Sequence, residues 1–276
     1  MGRWYGFAME PGRPRVGGVP ILMYHSIGAY AAPSFRRFAV PPGSFSAHMD
    51  YLAEGGFRTL TVSQVALLFG AGAPLPARIA ALTFDDGFTD FYQAALPVLQ
   101  KHGFTATIYV PTDYVGAAKG GRPVLSWSQL QEIAEYGVEC GSHGHTHRRL
   151  DQSPYSVALD EARRSRMLLE DRLQRPVLSF AYPGGCWNSR ARRAVAAAGF
   201  SSACVVDELV ASPNDDPLAL PRLTVRAWVD VSGLARLLAR RPTRTAQTLS
   251  TARRWLARAP ALPRLRQAGR RYGLWR

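Results

Sequence analysis

Along this chain, short runs of apolar residues alternate with stretches in which apolar positions recur every three to four residues. The first run, "VPILMYHSI" (19 to 27), reads as a buried strand ending in polar residues. "SFSAHMDYLAEGG" follows with helical spacing, Ser44 as candidate N-cap and Gly55-Gly56 as its stop. The alternation then repeats. "RIAALTF" (78 to 84) predicts a strand, "DFYQAALPVLQKHG" a helix closed by Gly103, and "TATIYV" (105 to 110) a strand. "SWSQLQEIAEYG" predicts a helix whose Ser126 and Gln129 have capping-box spacing. "VECGS" is the next strand, and a long helix over "SPYSVALDEARRSRMLLEDRLQ" has Pro154 at its first turn. The strand "VLSFAY", a helix from Asn188 to Gly199 and the strand "SACVV" complete the series. Six or seven such units predict a parallel sheet with helices outside it, either a barrel or an open doubly wound sheet. In both, chemistry sits at the C-terminal ends of the strands.

Composition adds boundaries to this pattern. A chain of 276 residues with 47% hydrophobic content is long enough to bury a large core. The pattern divides it into an N-terminal extension (1–18), a body (19–230) and a tail (231–276). Cys140, Cys186 and Cys204 are too few for a disulfide framework and form no Cys-x-x-Cys pair, which points to a reducing compartment, with Cys140 and Cys204 as small buried hydrophobes. The N-terminal stretch has no apolar signal region, no run of 18 apolar residues follows, and Gly6 stands where a myristoylation signal wants Ser or Thr. A cytoplasmic location is expected.

The formal net charge of +14 resembles that of a nucleic-acid binder, but its distribution argues otherwise. Residues 231–276 hold 12 arginines and no acid, leaving 22 of the 34 basic residues to face all 20 acidic ones in the rest of the chain. No nucleic acid is expected as a partner. The tail mixes Leu249, Trp255, Leu256, Leu262, Leu265, Tyr272, Leu274 and Trp275 with its arginines, a composition suited to peripheral contact with an anionic membrane on its cytoplasmic face. A solvated extension, or short helices packed on the body, fits the same composition.

Two clusters carry candidate chemistry. In "TFDDG" (83 to 87) an apolar strand ends in Asp85, Asp86 and a turn-forming Gly87. Adjacent carboxylates in a partly buried mouth stay ionised only if a cation or hydrogen-bond donors compensate them; the alternative is a solvated turn. In "GSHGHTHRRL" (141 to 150) His143, His145 and His147 account for half of the six histidines. His143 and His147, four apart, can point the same way in a helical turn and, with one carboxylate, complete a metal site with open positions, while His145 points elsewhere. The alternative is an exposed histidine cluster without metal.

These residues resemble the polysaccharide deacetylases, metal-dependent amidases that remove N-acetyl groups from sugars. "TFDDG" matches the family's first motif, and His143 and His147 match its His-x-x-x-His spacing. "FAYPGG" (180 to 185), "VPILMYHSI" and "LPRLTV" (220 to 225) resemble segments of the poly-N-acetylglucosamine deacetylase branch. The resemblance covers roughly residues 19 to 226 and implies a distorted (β/α)₇ barrel followed here by the basic C-terminal extension. It also implies that Asp86, His143 and His147 hold Zn²⁺ or a similar divalent ion and that Asp85 is the general base. The backbone N–H of Gly184, after Pro183, would stabilise the oxyanion, with Tyr182 shaping the floor. Trp187 either stacks on a sugar face or packs. His25 occupies the place of the general acid in that branch, and alone reads as a core-edge histidine.

Departures from the family are equally specific. Gly144 stands where Ser or Thr is usual, so a hydrogen bond steadying the ligand loop is expected to be missing. Ala181 replaces an Arg that pairs with a later Asp-x-x-Asp-Trp motif, and that motif is absent too. The expected activity is release of acetate from an N-acetylated glycan, polymeric or lipid-linked. The competing readings are an amidase acting on a non-sugar C–N bond and an inactive carbohydrate-binding barrel.

Overall fold

The computed structural model describes residues 17–28, 35–72 and 74–242. Eight strands form one parallel sheet: β1 (Ile21–Tyr24), β2 (Arg58–Leu60), β3 (Ile79–Phe84), β4 (Thr107–Val110), β5 (Glu139–Ser142), β6 (Ser179–Ala181), β7 (Ser202–Cys204) and β8 (Leu223–Thr224). Their order is β7-β6-β5-β4-β3-β1-β8, with β2 beside the first half of β3. The sheet curls until its ends approach one another. Leu220, just ahead of β8, donates to Ala203 O at 2.8 Å and accepts from Val205 N at 2.9 Å, joining β7 to the segment that enters β8. This is the distorted barrel that the family resemblance implies, and it decides between the barrel and the open sheet that the sequence pattern leaves open.

Among the described residues seven helices accompany the strands: α1 (Pro42–Glu54), α2 (Val62–Gly70), α3 (Leu96–Lys101), α4 (Trp127–Glu135), α5 (Tyr155–Leu173), α6 (Ser189–Ala197) and α7 (Val231–Leu238). Alternate residues of each strand serve two cores. Leu22, Tyr24, Leu82, Phe84, Ile108, Val110 and Phe180 belong to the larger core shared with the helices, whereas Ile21, Ile79, Ala81, Tyr109, Ala181 and Cys204 form the smaller one. Burying Phe45, Met49 and Leu52 of α1 in the larger core contributes roughly 2 kcal/mol each. In the interior, Gly141 lies so close to Tyr109 that a Cβ there would sit 2.6 Å from its ring. Small residues therefore leave room for Tyr109, whose hydroxyl bonds Ser179 Oγ at 2.6 Å.

Several local details differ from the sequence reading. Helix α1 starts at Pro42, so Ser44 lies inside its first turn and caps nothing; Pro42 fixes the entry through its own φ. The helix read over residues 90–103 opens as a π-helical turn, Phe91–Ala95, before α3. Pro97 has no N–H to donate to the carbonyl four residues back, which disfavours a regular α-ladder there. Both β2 and α2 escaped the pattern, although Thr61 and Gln64 form a complete capping box. The box at Ser126 and Gln129 forms as read, and Asn188 caps α6. Cys140 and Cys204 are buried and unbridged. Helix α7 packs against α1 and buries Leu234 and Leu237, while residues 243–276, which carry most of the proposed membrane contact, lie outside the described residues. Among the described residues no helix is long and apolar enough to cross a membrane.

Candidate active site

The C-terminal ends of β1, β3, β5, β6 and β8 converge on one mouth. Asp85 and Asp86 follow β3 directly, and Asp85 N donates to Tyr24 O at 3.1 Å, which sets His25 of the neighbouring strand beside it. His143 follows β5, its N–H bound to Val110 O at 3.0 Å. Asp86, His143 and His147 each offer a ligand atom within 4.8 Å of the other two. Asp86 Oδ1 lies 3.1 Å from His147 Nε2 and 3.8 Å from His143 Nε2. His143 Nδ1 lies 2.8 Å from Ala181 O and donates to it in the neutral tautomer that leaves Nε2 with its lone pair facing the carboxylate. Two imidazole nitrogens and a carboxylate oxygen suit zinc or a similar divalent ion and leave positions for water and substrate. The residues fit such a group.

His143 and His147 do not meet through a helical turn, as their spacing alone allowed. The chain from residue 143 to 147 is an irregular loop in which Gly144 (φ +77°) and His147 (φ +60°) are left-handed, and this reversal brings the two rings to 4.7 Å between centroids. Asp86 is left-handed as well, at φ +73°. Two of the three candidate ligands thus sit in a backbone region that costs a non-glycine residue on the order of 1 kcal/mol or more, and the surroundings must hold them there. Glu161 of α5 does so for the histidine loop. Its carboxylate accepts from His145 N (3.0 Å), Thr146 N (2.8 Å) and Thr146 Oγ1 (2.6 Å). The support expected from a side chain at Gly144 therefore comes from outside the loop. His145 turns away from the ligands to Thr112 Oγ1 at 2.8 Å.

Asp85 is held by a residue that sequence reasoning missed. Arg222, from "LPRLTV", is fully buried and donates to both oxygens of Asp85, Nη1 to Oδ1 at 2.6 Å and Nη2 to Oδ2 at 2.8 Å. It also donates to Thr83 Oγ1 at 3.2 Å. A guanidinium thus compensates Asp85. Burial alone would raise the Asp85 pKa, but Arg222 and then His143 outweigh it and hold the carboxyl below its ordinary value. Asp86 is held well below its ordinary value against the same burial, chiefly by its hydrogen bond with His147. Each aspartate has a leading partner of its own, Arg222 for Asp85 and His147 for Asp86, while His143 and His25 act on both.

His25 packs on Phe38, ring centroids 4.5 Å apart, and its buried Nδ1 has no hydrogen-bond partner among the described residues. Burial lowers its pKa while Asp85 and Asp86 pull it up. In the loop after β6, Gly184 is exposed at φ +71°, a conformation open to glycine, and Pro183 is buried. Tyr182 does not shape the floor of the mouth. Its ring is fully buried in the outer core beside Phe180 and its hydroxyl donates to Leu218 O at 3.0 Å, because the strand's alternation turns it away from the barrel axis. Trp187 packs half-buried against the same core, 6.5 Å from the Tyr182 ring.

With this geometry in view, comparison with known proteins is specific. A family model described as polysaccharide deacetylase matches residues 72–203. YxkH of Bacillus subtilis, assigned by name to the polysaccharide deacetylases, is 31% identical over 207 residues, 75% of this chain and 71% of that protein. The chain belongs to the polysaccharide deacetylase family. A poly-beta-1,6-N-acetyl-D-glucosamine N-deacetylase of Staphylococcus epidermidis is 25% identical over 200 residues, 69% of each chain. Among solved structures, the Streptococcus pyogenes deacetylase PplD in complex with acetate superposes with a TM-score of 0.74 at 25% identity, covering 80% of this chain and 98% of that one. As a member of this family the chain is a deacetylase of polysaccharide, and the mouth described above is where its chemistry is to be sought.

Proposed function

We propose that this polysaccharide deacetylase removes the acetyl group from N-acetylglucosamine units of a glycan and releases acetate, with Zn²⁺ or a similar divalent ion held by Asp86, His143 and His147. The observation that carries the reading is the pairing of a three-residue ligand set with a second, buried carboxylate, Asp85, whose two oxygens Arg222 holds while His143 Nε2 stands 4.0 Å away. A bound divalent ion supplies Lewis acidity, polarising the acetamide carbonyl and acidifying water. Asp85, kept ionised and fixed in direction by Arg222, accepts the proton of the attacking water. The exposed backbone at Gly184 offers its N–H to the developing oxyanion, and the missing side chain lets the acetamide come close. His25, whose Nδ1 has no hydrogen-bond partner among the described residues, delivers a proton to the departing amine. The likeness to a poly-β-1,6-linked substrate enzyme supports this glycan class.

The test is zinc content of the purified protein together with acetate release from β-1,6-linked N-acetylglucosamine oligomers. Bound zinc with stoichiometric acetate and free amine supports the reading. Bound zinc without acetate points to another amide as substrate, and neither zinc nor acetate points to a sugar-binding barrel.

A further inference from the structure

Asp86 has a third charged neighbour that the reading above does not use. Lys119 Nζ lies 2.7 Å from Asp86 Oδ1, the same oxygen that faces His147 Nε2 and His143 Nε2. Lys119 sits on an antiparallel hairpin, Ala118–Lys119 against Arg122–Pro123, with about a fifth of its side chain exposed. This hairpin is stitched to the loop that carries Asp86. Leu125 N donates to Gly87 O at 2.9 Å, Thr89 N to Pro123 O at 3.1 Å, and Phe88 bridges Val124. Arg122 lies 3.4 Å from the Phe88 ring centroid and 4.1 Å from that of Phe35, and donates to Asp90 Oδ2 at 3.2 Å. The base of the hairpin is thus fixed while the Lys119 stem keeps its four flexible carbons.

We propose that Lys119 sets the metal affinity of the site by competing with the divalent ion for Asp86, an inference that rests on Asp86 being a ligand. In the metal-free protein its ammonium offsets the Asp86 charge, beside an Asp85 already offset by Arg222. A divalent ion at the same oxygen would stand a few ångströms from that ammonium, and at this separation the repulsion outweighs a single shared hydrogen bond even with the effective screening of a protein surface. The ammonium therefore withdraws toward solvent as the ion enters. Loading trades one cation for another at a carboxylate that is never left bare, which keeps the left-handed Asp86 turn in place before and after. Binding is weaker than the three ligands alone would give.

The experiment titrates full-length, EDTA-treated protein with Zn²⁺ against a chromophoric chelator and follows the Tm of the metal-free form. Lys119→Met should bind zinc at least about tenfold more tightly, since a like charge is gone, and should have a lower Tm than wild type without zinc. Lys119→Arg, which keeps a cation, should stay near wild type in both. Unchanged or weaker zinc binding by Lys119→Met, with a normal Tm in saturating zinc, overturns the inference and makes Lys119 a support of the ligand. If neither wild type nor Lys119→Met binds zinc, the ligand reading itself fails and takes this inference with it. Zinc binding without acetate release removes only the proposed substrate.

Discussion

Replacing Arg222 with Met removes the guanidinium from Asp85 while keeping much of the stem's volume. In the wild type both groups are buried, and the pair is bidentate at 2.6 and 2.8 Å, with a further bond to Thr83. Removing one partner of such a pair leaves an uncompensated buried charge, a loss of about 3–5 kcal/mol. The protein can relieve part of this by protonating Asp85, which forfeits the base. Denaturant unfolding at pH 7 should therefore show a loss in that range, and the acid limb of the kcat/KM profile should move to higher pH. The double variant Asp85→Asn/Arg222→Met buries no charge at this position and should be more stable than Arg222→Met alone. A loss below about 1 kcal/mol with an unmoved acid limb would refute the idea that Arg222 holds Asp85 ionised.

Other consequences are more local. Glu161→Ala removes the acceptor that fixes His145 and Thr146, and should weaken zinc binding by about 10- to 100-fold in a chelator competition; His145→Ala should retain zinc, whereas His143→Ala and His147→Ala should lose it. His25→Ala should lower turnover with zinc content unchanged and remove the basic limb of the pH profile, because the proton it gives is no longer there to lose. Burial pushes His143 down to about 4, and lowers His25 and His48 as well, so the unfolded chain takes up protons that the metal-free folded protein refuses. Metal-free stability should thus rise with pH between about 4 and 6.5, His143 alone contributing about 3 kcal/mol across that window; calorimetry showing no loss toward pH 4.5 would contradict it.

Most of the parallel strands were legible because their two buried faces leave continuous apolar runs, and the capping box at Ser126 and Gln129 because two side chains three residues apart decide it. Helix α2 carries the same signal, a capping box at Thr61 and Gln64, ahead of its apolar run. The π-turn at Phe91–Ala95 follows from Pro97, whose presence is visible but whose remedy depends on packing. At the site, residue types and spacing were enough to gather Asp86, His143 and His147, yet the left-handed backbone of Asp86 and His147 has no sequence signature. Arg222 illustrates the deepest gap. It stands 137 residues from Asp85 along the chain, in a segment with no polar pattern of its own, and only the closing of the sheet through Leu220 brings them together. Tyr182 was misplaced for the opposite reason. Its place next to the loop at Pro183 and Gly184 suggests the mouth, whereas strand alternation sends its ring outward.

The central claim is that the two adjacent aspartates divide the work, Asp86 holding the ion and Asp85 taking the proton. Asp85→Asn tests it most directly, with zinc content and acetate release measured on the same preparation. The account predicts zinc equal to wild type and turnover reduced by about 10²- to 10⁴-fold. Stoichiometric loss of zinc from Asp85→Asn would contradict it and exchange the roles of Asp85 and Asp86.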